Sequence, residues 1–324
     1  MRDSMCAVLR AACAGRAISE SEAERLLSLL PGVLTDIVAV AGAARVAGGT
    51  RAFTCGIINA KSGRCGEDCA FCAQSRHHDA AAPVYPLVDE ETLLERAEQL
   101  AQSGVTYMGI VTGGVGPAAR DFERICRAAR RIAREVGIKL CASLGLLEEG
   151  QALALKHAGF TSYHHNLECA RSYYSRICTT HSYERRRETV QQARDAGLRT
   201  CTGGIFGLGE SWRQRLELSA DLRTLNVDSI PVNFLTPIAG TPLEHAPGLH
   251  AGEALALIAL LRLMHPGKDI LICGGRTRTL GEWENSLFFA GANGLMVGDY
   301  LTLKGNALAD DMRMLRTLGL ARDV

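Results

Sequence analysis

The chain has 324 residues, with 36 Lys and Arg against 35 Asp and Glu. That length allows two ordinary domains or one large α/β barrel with a full core. The near-zero net charge excludes a nucleic-acid partner held by phosphate neutralisation, and no run of about 20 apolar residues offers a membrane span.

Residues 1–48 read as a helical segment ahead of a second unit, 49–324, that ends in a tail. Asp3 and Arg10 interrupt any apolar export segment, so the expected location is cytoplasmic. Ser19-Glu20-Ser21-Glu22 is a capping box ahead of Leu26, Leu27, Leu29 and Leu30, and Pro31-Gly32 stops that helix. Short strand-like runs then alternate with amphipathic helices. The strands are expected at 53–59, 107–112, 139–143, 162–166, 199–203, 229–234, 270–273 and 294–297. Between them, Leu93, Leu94, Ala97 and Leu100 share one helical face, as do Phe122, Ile125, Ala129 and Ile132. The apolar run 254–261 belongs to a further amphipathic helix. Eight strand–helix repeats predict a (β/α)8 TIM-type barrel with an N-terminal helical extension; an open doubly wound sheet is the alternative. In a barrel, chemistry belongs at the C-terminal strand ends.

Twelve cysteines in 324 residues are too few for a disulfide scaffold, which needs roughly 8–10%. In a reducing compartment their uses are metal binding, catalysis or core packing. The sharpest local signal is Cys65-Gly66-Glu67-Asp68-Cys69-Ala70-Phe71-Cys72, which follows the first strand. Three thiolates in one short loop can wrap three corners of an iron–sulfur cubane and leave one iron open. A zinc knuckle, with His77 or His78 as fourth ligand, is the competing reading.

This motif resembles that of the radical S-adenosylmethionine superfamily. The resemblance implies a 4Fe–4S cluster on Cys65, Cys69 and Cys72, with S-adenosylmethionine chelating the open iron and Phe71 beside its adenine. Further segments narrow it: Tyr163-His164-His165-Asn166-Leu167-Glu168, Thr179-Thr180-His181-Ser182-Tyr183-Glu184-Arg185-Arg186, and Cys201 to Glu210. Ser229 to Leu235, Gly240-Thr241-Pro242-Leu243 and Gly298-Asp299-Tyr300-Leu301 complete the set. Their order and spacing, over roughly residues 50–320, resemble the biotin synthase family.

That resemblance implies a sulfurtransferase: reductive cleavage of S-adenosylmethionine makes a 5′-deoxyadenosyl radical, and sulfur from an auxiliary cluster enters dethiobiotin. It implies that Arg186 pairs with the S-adenosylmethionine carboxylate and Glu168 accepts from its ribose, while the Thr112-Gly113-Gly114 backbone approaches its amino group. It implies that Asn166 and Asn233 bond the ureido ring, for which an amide offers donor and acceptor. It also implies a homodimer, a flavodoxin- or ferredoxin-type electron donor, and iron–sulfur assembly machinery.

The sequence departs from the best-known members, which hold a 2Fe–2S cluster with three Cys and one Arg. Cys141 and Cys201 match two of those ligands, but Met108-Gly109 and Leu271 stand where the other Cys and the Arg belong. Two extra cysteines appear instead, Cys55 on the first strand and Cys273 on the seventh. Side chains inside such a barrel pack in layers contributed by alternate strands. Cys55, Cys141, Cys201 and Cys273 fall on strands one, three, five and seven, and so predict a ring of four thiolates. Such a ring suits a four-iron auxiliary cluster, with an extra sulfide as sulfur donor, rather than 2Fe–2S. Four ordinary core cysteines are the plain alternative. At the level of activity, another maturase or mutase of the same superfamily competes, as does a metal-binding protein without turnover.

Overall fold

The capping box forms as expected: Ser19 Oγ accepts from Glu22 N at 3.2 Å, and Glu22 returns a carboxylate oxygen to Ser19 N at 2.8 Å. It starts α2 (Glu20–Leu27), which follows α1 (Arg2–Cys13) and precedes α3 (Leu34–Ala47). The structure is a computed structural model, and it describes residues 2–49, 51–301 and 304–320.

The strands are β1 (Phe53–Lys61), β2 (Tyr107–Thr112), β3 (Lys139–Ser143), β4 (Phe160–His164), β5 (Arg199–Cys201), β6 (Gly204–Phe206), β7 (Ser229–Phe234), β8 (Asp269–Ile272) and β9 (Gly294–Val297). Every pairing between them is parallel, and β9 returns to β1. Both β5 and β6 pair with β7, so they are two pieces of one stave and the barrel has eight. The break falls at Thr202-Gly203. Pro231 faces it without an N–H to offer, and a Cβ on Gly203 would stand 2.0 Å from the Pro231 carbonyl oxygen.

Helices α4 (Glu90–Gln102), α5 (Ala119–Glu135) and α6 (Gln151–His157) follow the first three staves. The short α7 (Arg171–Tyr174) and then α8 (Tyr183–Asp195) follow the fourth, and α9 (Trp212–Thr224) the fifth. Then come α10 (Ala251–Met264), α11 (Arg276–Leu280) and α12 (Leu308–Thr317). Leu93, Leu94, Ala97 and Leu100 face inward from α4, as their spacing predicts.

Two expectations need correction. Helix α10 is not amphipathic in place: every residue from Ala254 to Met264 is buried. It lies against the barrel on one side, while α2 and α3 cover the side a barrel helix usually exposes. The fourth stave ends at His164, so His165 and Asn166 belong to the loop beyond it. There the Asn166 side chain accepts from Gly203 N at 3.2 Å and takes over where the ladder stops.

Alternation along the staves decides what faces the axis. On β2, Met108 and Ile110 are fully buried under the helices, whereas Gly109 and Val111 line the barrel cavity. No helix among the described residues is long and apolar enough to cross a membrane.

Candidate active site

The C-terminal end of the barrel holds a cavity of about 400 Å³, a size suited to a small ligand. All seven cysteines singled out above line it.

Cys55, Cys141, Cys201 and Cys273 sit deepest, one from each odd stave. Cys55 and Cys273 pack together with Leu271, and Cys201 lies against them. Below, Phe53 and Tyr107 meet edge to face, ring centroids 5.8 Å apart, and line a second, smaller cavity that also reaches Cys55, Cys141 and Cys201. Burial, then the neighbouring thiols, pushes Cys55, Cys201 and Cys273 far above the ordinary thiol range, and burial pushes Cys141 up to about 11. These thiols therefore keep their protons unless a cation compensates, and a metal cluster would displace them. The predicted ring is thus brought together. The substituted positions also point inward: Gly109 and Leu271 line the same cavity. A Cβ at Gly109 would stand 3.0 Å from Ile57 Cγ2, so space there is short for a cysteine.

Cys65, Cys69 and Cys72 occupy the mouth. Their loop is held by its own backbone: Cys65 N donates to Gln74 O at 2.8 Å, Arg76 N to Cys65 O at 2.9 Å, and Cys72 N to Cys69 O at 2.9 Å. Burial raises the Cys65 and Cys72 thiols; contact with Cys178, then burial, raises Cys69. The zinc-knuckle reading finds no support. His77 Nε2 is 2.8 Å from Gly66 O and His78 Nε2 is 3.0 Å from Cys69 O, so both imidazoles serve the loop backbone. Neither cysteine set gathers its ligand atoms tightly enough for one ion. Among the described residues, Glu67, Cys178 and His181 alone bring three such atoms within 4.8 Å of one another.

The remaining candidates line the wall between the two sets. Glu168 has a left-handed backbone, φ 70°, unusual for a non-glycine residue. One of its carboxylate oxygens meets Arg186 Nη1 at 3.0 Å, while Oε2 is buried and unpaired. A buried acceptor without a donor costs free energy, and this oxygen has no donor among the described residues. Arg186 is buried; its Nε reaches Tyr174 and His181 and its Nη1 reaches Asn166 O and Glu168. Among the described residues, no hydrogen bond uses its Nη2.

Thr112 ends β2, and Gly113 and Gly114 follow it. A Cβ on Gly113 would collide with Gln74 Oε1 at 2.3 Å, and Gly114 has φ 123°, so this stretch is glycine for steric reasons and brings bare backbone to the cavity. Phe71 lines the cavity from the motif loop.

Asn233 Nδ2 donates to Gly204 O at 3.2 Å, and its Oδ1 accepts from Gly274 N at 3.1 Å. It therefore clasps three staves while keeping one further hydrogen and one lone pair. Burial, then Arg186, lowers His164 to about 4 and His165 further, so both are neutral imidazoles.

Three residues in the cavity escaped the sequence reading. His165 has a buried, unpaired Nε2, and Gln74 supports Gly63 N at 3.1 Å. Tyr300, from the tail, closes the rim and accepts from Arg276 at 3.1 Å. His165 and Tyr300 lie in segments that carry the family resemblance but drew no role of their own there; Gln74 had no signal.

An eight-stave parallel barrel with a three-cysteine loop after its first strand defines a radical S-adenosylmethionine enzyme. The profile of that superfamily matches residues 60–222, and the Biotin and Thiamin Synthesis associated domain matches residues 231–321. A biotin synthase of Nitratidesulfovibrio vulgaris (strain DP4) is 59% identical over 286 residues, 88% of this chain and 79% of its own. Another, from Oleidesulfovibrio alaskensis, is 49% identical over 99% of this chain and 98% of its own. The chain belongs to the biotin synthase family and is a sulfurtransferase of the radical S-adenosylmethionine superfamily. The family uses a 4Fe–4S cluster and S-adenosylmethionine. Among solved structures, methylornithine synthase (PylB) superposes with TM-score 0.82 at 20% identity, covering 98% of this chain and 97% of its own. The hydrogenase maturase HydG gives 0.83 at 16%, covering 98% of this chain and 76% of its own. At those identities the likeness is one of fold alone.

Proposed function

We propose that Cys65, Cys69 and Cys72 hold the 4Fe–4S cluster, and that Cys55, Cys141, Cys201 and Cys273 hold an auxiliary cluster with four irons rather than two. The observation that carries this reading is the ring itself: three buried thiols and the half-buried Cys201, from four separate staves, share one cavity with the mouth cysteines. When bound, the two clusters and S-adenosylmethionine supply radical generation and a sulfide for dethiobiotin; a saturated C–H bond gives ordinary acid–base groups nothing to work on.

The chain's own residues bind and orient. Arg186 Nη2 offers a charge-assisted bond to the S-adenosylmethionine carboxylate. The unpaired Glu168 Oε2 takes a ribose hydroxyl, the Gly113-Gly114 backbone meets the amino group, and Phe71 lies beside the adenine. The free amide valences of Asn166 and Asn233 face the ureido ring of dethiobiotin from between the two cysteine sets. The wider reading has a homodimer in the cytoplasm, a flavodoxin- or ferredoxin-type electron donor, iron–sulfur assembly machinery that restores the spent cluster, and a helical unit 1–48 ahead of the catalytic unit 49–324.

Anaerobic iron and sulfide counts with Mössbauer spectra test the reading. About eight irons per chain are expected, against about six for a 4Fe–4S plus 2Fe–2S enzyme. Six irons, with a two-iron spectrum, would remove the four-iron assignment.

A further inference from the structure

The ring of Cys55, Cys141, Cys201 and Cys273 has a far side. The second cavity lies there, at the N-terminal ends of the staves, and holds about 40 Å³. Cys55, Cys141 and Cys201 line both this cavity and the larger one above. Its outer end is Arg199 with Asp269, paired at 2.8 Å, their side chains 49% and 25% exposed. The lining therefore runs from solvent to the thiols.

The sequence explains the gap. Interior layers of such a barrel are ordinarily filled by Val, Ile and Leu from alternate staves. Beneath the ring the even staves supply Tyr107 from β2, Ser162 from β4 and Ser229 from β7. Register fixes the level of the serines: Ser162 lies beside Cys141, and Ser229 beside Cys201. On β9, Gly294 makes room for the Phe53 ring, since a Cβ there would stand 2.5 Å from Phe53 Cζ. Two aromatic rings and two serines thus share the layer, and the serines leave part of it unfilled.

Chemistry narrows the occupant. Both serines are buried, and Ser229 Oγ has no hydrogen-bond partner among the described residues, although it lies near enough to the Cys201 thiol to act on it. Phe53, Tyr107 and Leu271 make much of the wall apolar. A water needs about two to four polar partners, and few are offered. An unpaired ion would cost more still, and the Arg199 charge is already committed to Asp269. A small, uncharged, weakly polar molecule suits the space, with one hydrogen bond to Ser229.

We infer that this lower cavity admits and binds neutral hydrogen sulfide, and so feeds sulfur to the ring from the end opposite the substrate. The inference rests on the reading of the ring as the seat of the auxiliary cluster. Hydrogen sulfide carries sulfur already at the sulfide level, so its uptake releases two protons and needs no added oxidant or reductant. A lower entrance keeps resupply apart from the mouth, where S-adenosylmethionine and dethiobiotin would lie.

The test follows isotopically labelled sulfide into the resting reconstituted enzyme, anaerobic and without reductant, with S-adenosylmethionine and dethiobiotin both bound. The readout is label in the acid-labile sulfide of the desalted protein, beside an iron count. Wild type should take up label with the mouth filled. Ser229→Leu, which fills the gap, should slow uptake on the order of tenfold at unchanged iron content. Arg199→Ala, which removes a half-exposed ion pair of little weight in stability, should quicken it. Both positions lie at the opposite end of the barrel from the mouth loop, so these differences report on the ring. A wild-type rate in Ser229→Leu at full iron content overturns the inference and leaves a cavity that holds water only. So does wild-type uptake that stops when the mouth is filled, because entry is then from above. Where Ser229→Leu loses iron, Arg199→Ala decides alone: faster uptake supports the inference, and a wild-type or slower rate overturns it. A wild-type count of about four irons per chain, taken before sulfide is added, defeats the reading of the ring itself and is seen before any variant is compared.

Discussion

The two cysteine sets open on one cavity but are built in opposite ways. Cys65, Cys69 and Cys72 lie within eight residues of chain, on a loop that folds on its own hydrogen bonds. Cys55, Cys141, Cys201 and Cys273 are spread over 219 positions, from 55 to 273 inclusive, and meet only because the barrel closes. A local loop can bend to admit a ligand at an open metal position. Cys55, Cys141 and Cys201 are held by parallel ladders on both sides and Cys273 follows directly on its strand, so the proposed auxiliary cluster would sit on a stiffer frame. On the proposed reading, this difference means that radical generation and sulfur supply should be separable by mutation although the two sets share a wall.

The largest effect should come from the loop. Replacing Cys65, Cys69 and Cys72 together with Ala should abolish reductive cleavage of S-adenosylmethionine, which chromatography of 5′-deoxyadenosine measures. Wild-type yield from that triple variant would break the comparison at its first term. The ring should behave differently. Cys55→Ala or Cys273→Ala should abolish biotin formation while S-adenosylmethionine cleavage continues uncoupled. If these cysteines were mere packing, the swap would cost modest stability and leave biotin yield intact.

Asn233→Ala sharpens the boundary between the two sets. It should weaken dethiobiotin binding by about 1–3 kcal/mol and leave S-adenosylmethionine binding closer to wild type. Because Asn233 also clasps Gly204 and Gly274, separate titrations of the two ligands are required. Equal losses would show that it acts through the staves alone.

The smallest effect concerns the frame outside both sets. His265, buried at the end of α10 with Nε2 2.8 Å from Ser219 Oγ, is lowered by burial to about 3. The unfolded chain takes up this proton below about pH 6.5 and the folded one does not. Stability is therefore complete above pH 6.5 and is lost as pH falls toward 3, by at most about 1.4 kcal/mol per pH unit. Urea midpoints between pH 7 and 5 should fall less steeply for His265→Gln; an identical slope would show that other groups dominate acid sensitivity.

The sequence by itself determined the parts whose signal is local or periodic. Strand and helix alternation named the barrel and spacing named the mouth cysteines, because each obeys a short-range rule; the ring was expected from the placing of its cysteines on alternate strands of that barrel. Only the tertiary structure decided the rest. Helix α10 is buried all round because α2 and α3, remote in sequence, cover it. The fifth stave breaks where Gly203 meets Pro231 of its neighbour. Glu168 keeps an unpaired oxygen, and Ala70 N reaches Ile177 O across more than a hundred residues of chain. No periodicity encodes such contacts; they arise when closure of the barrel brings distant loops to the same end.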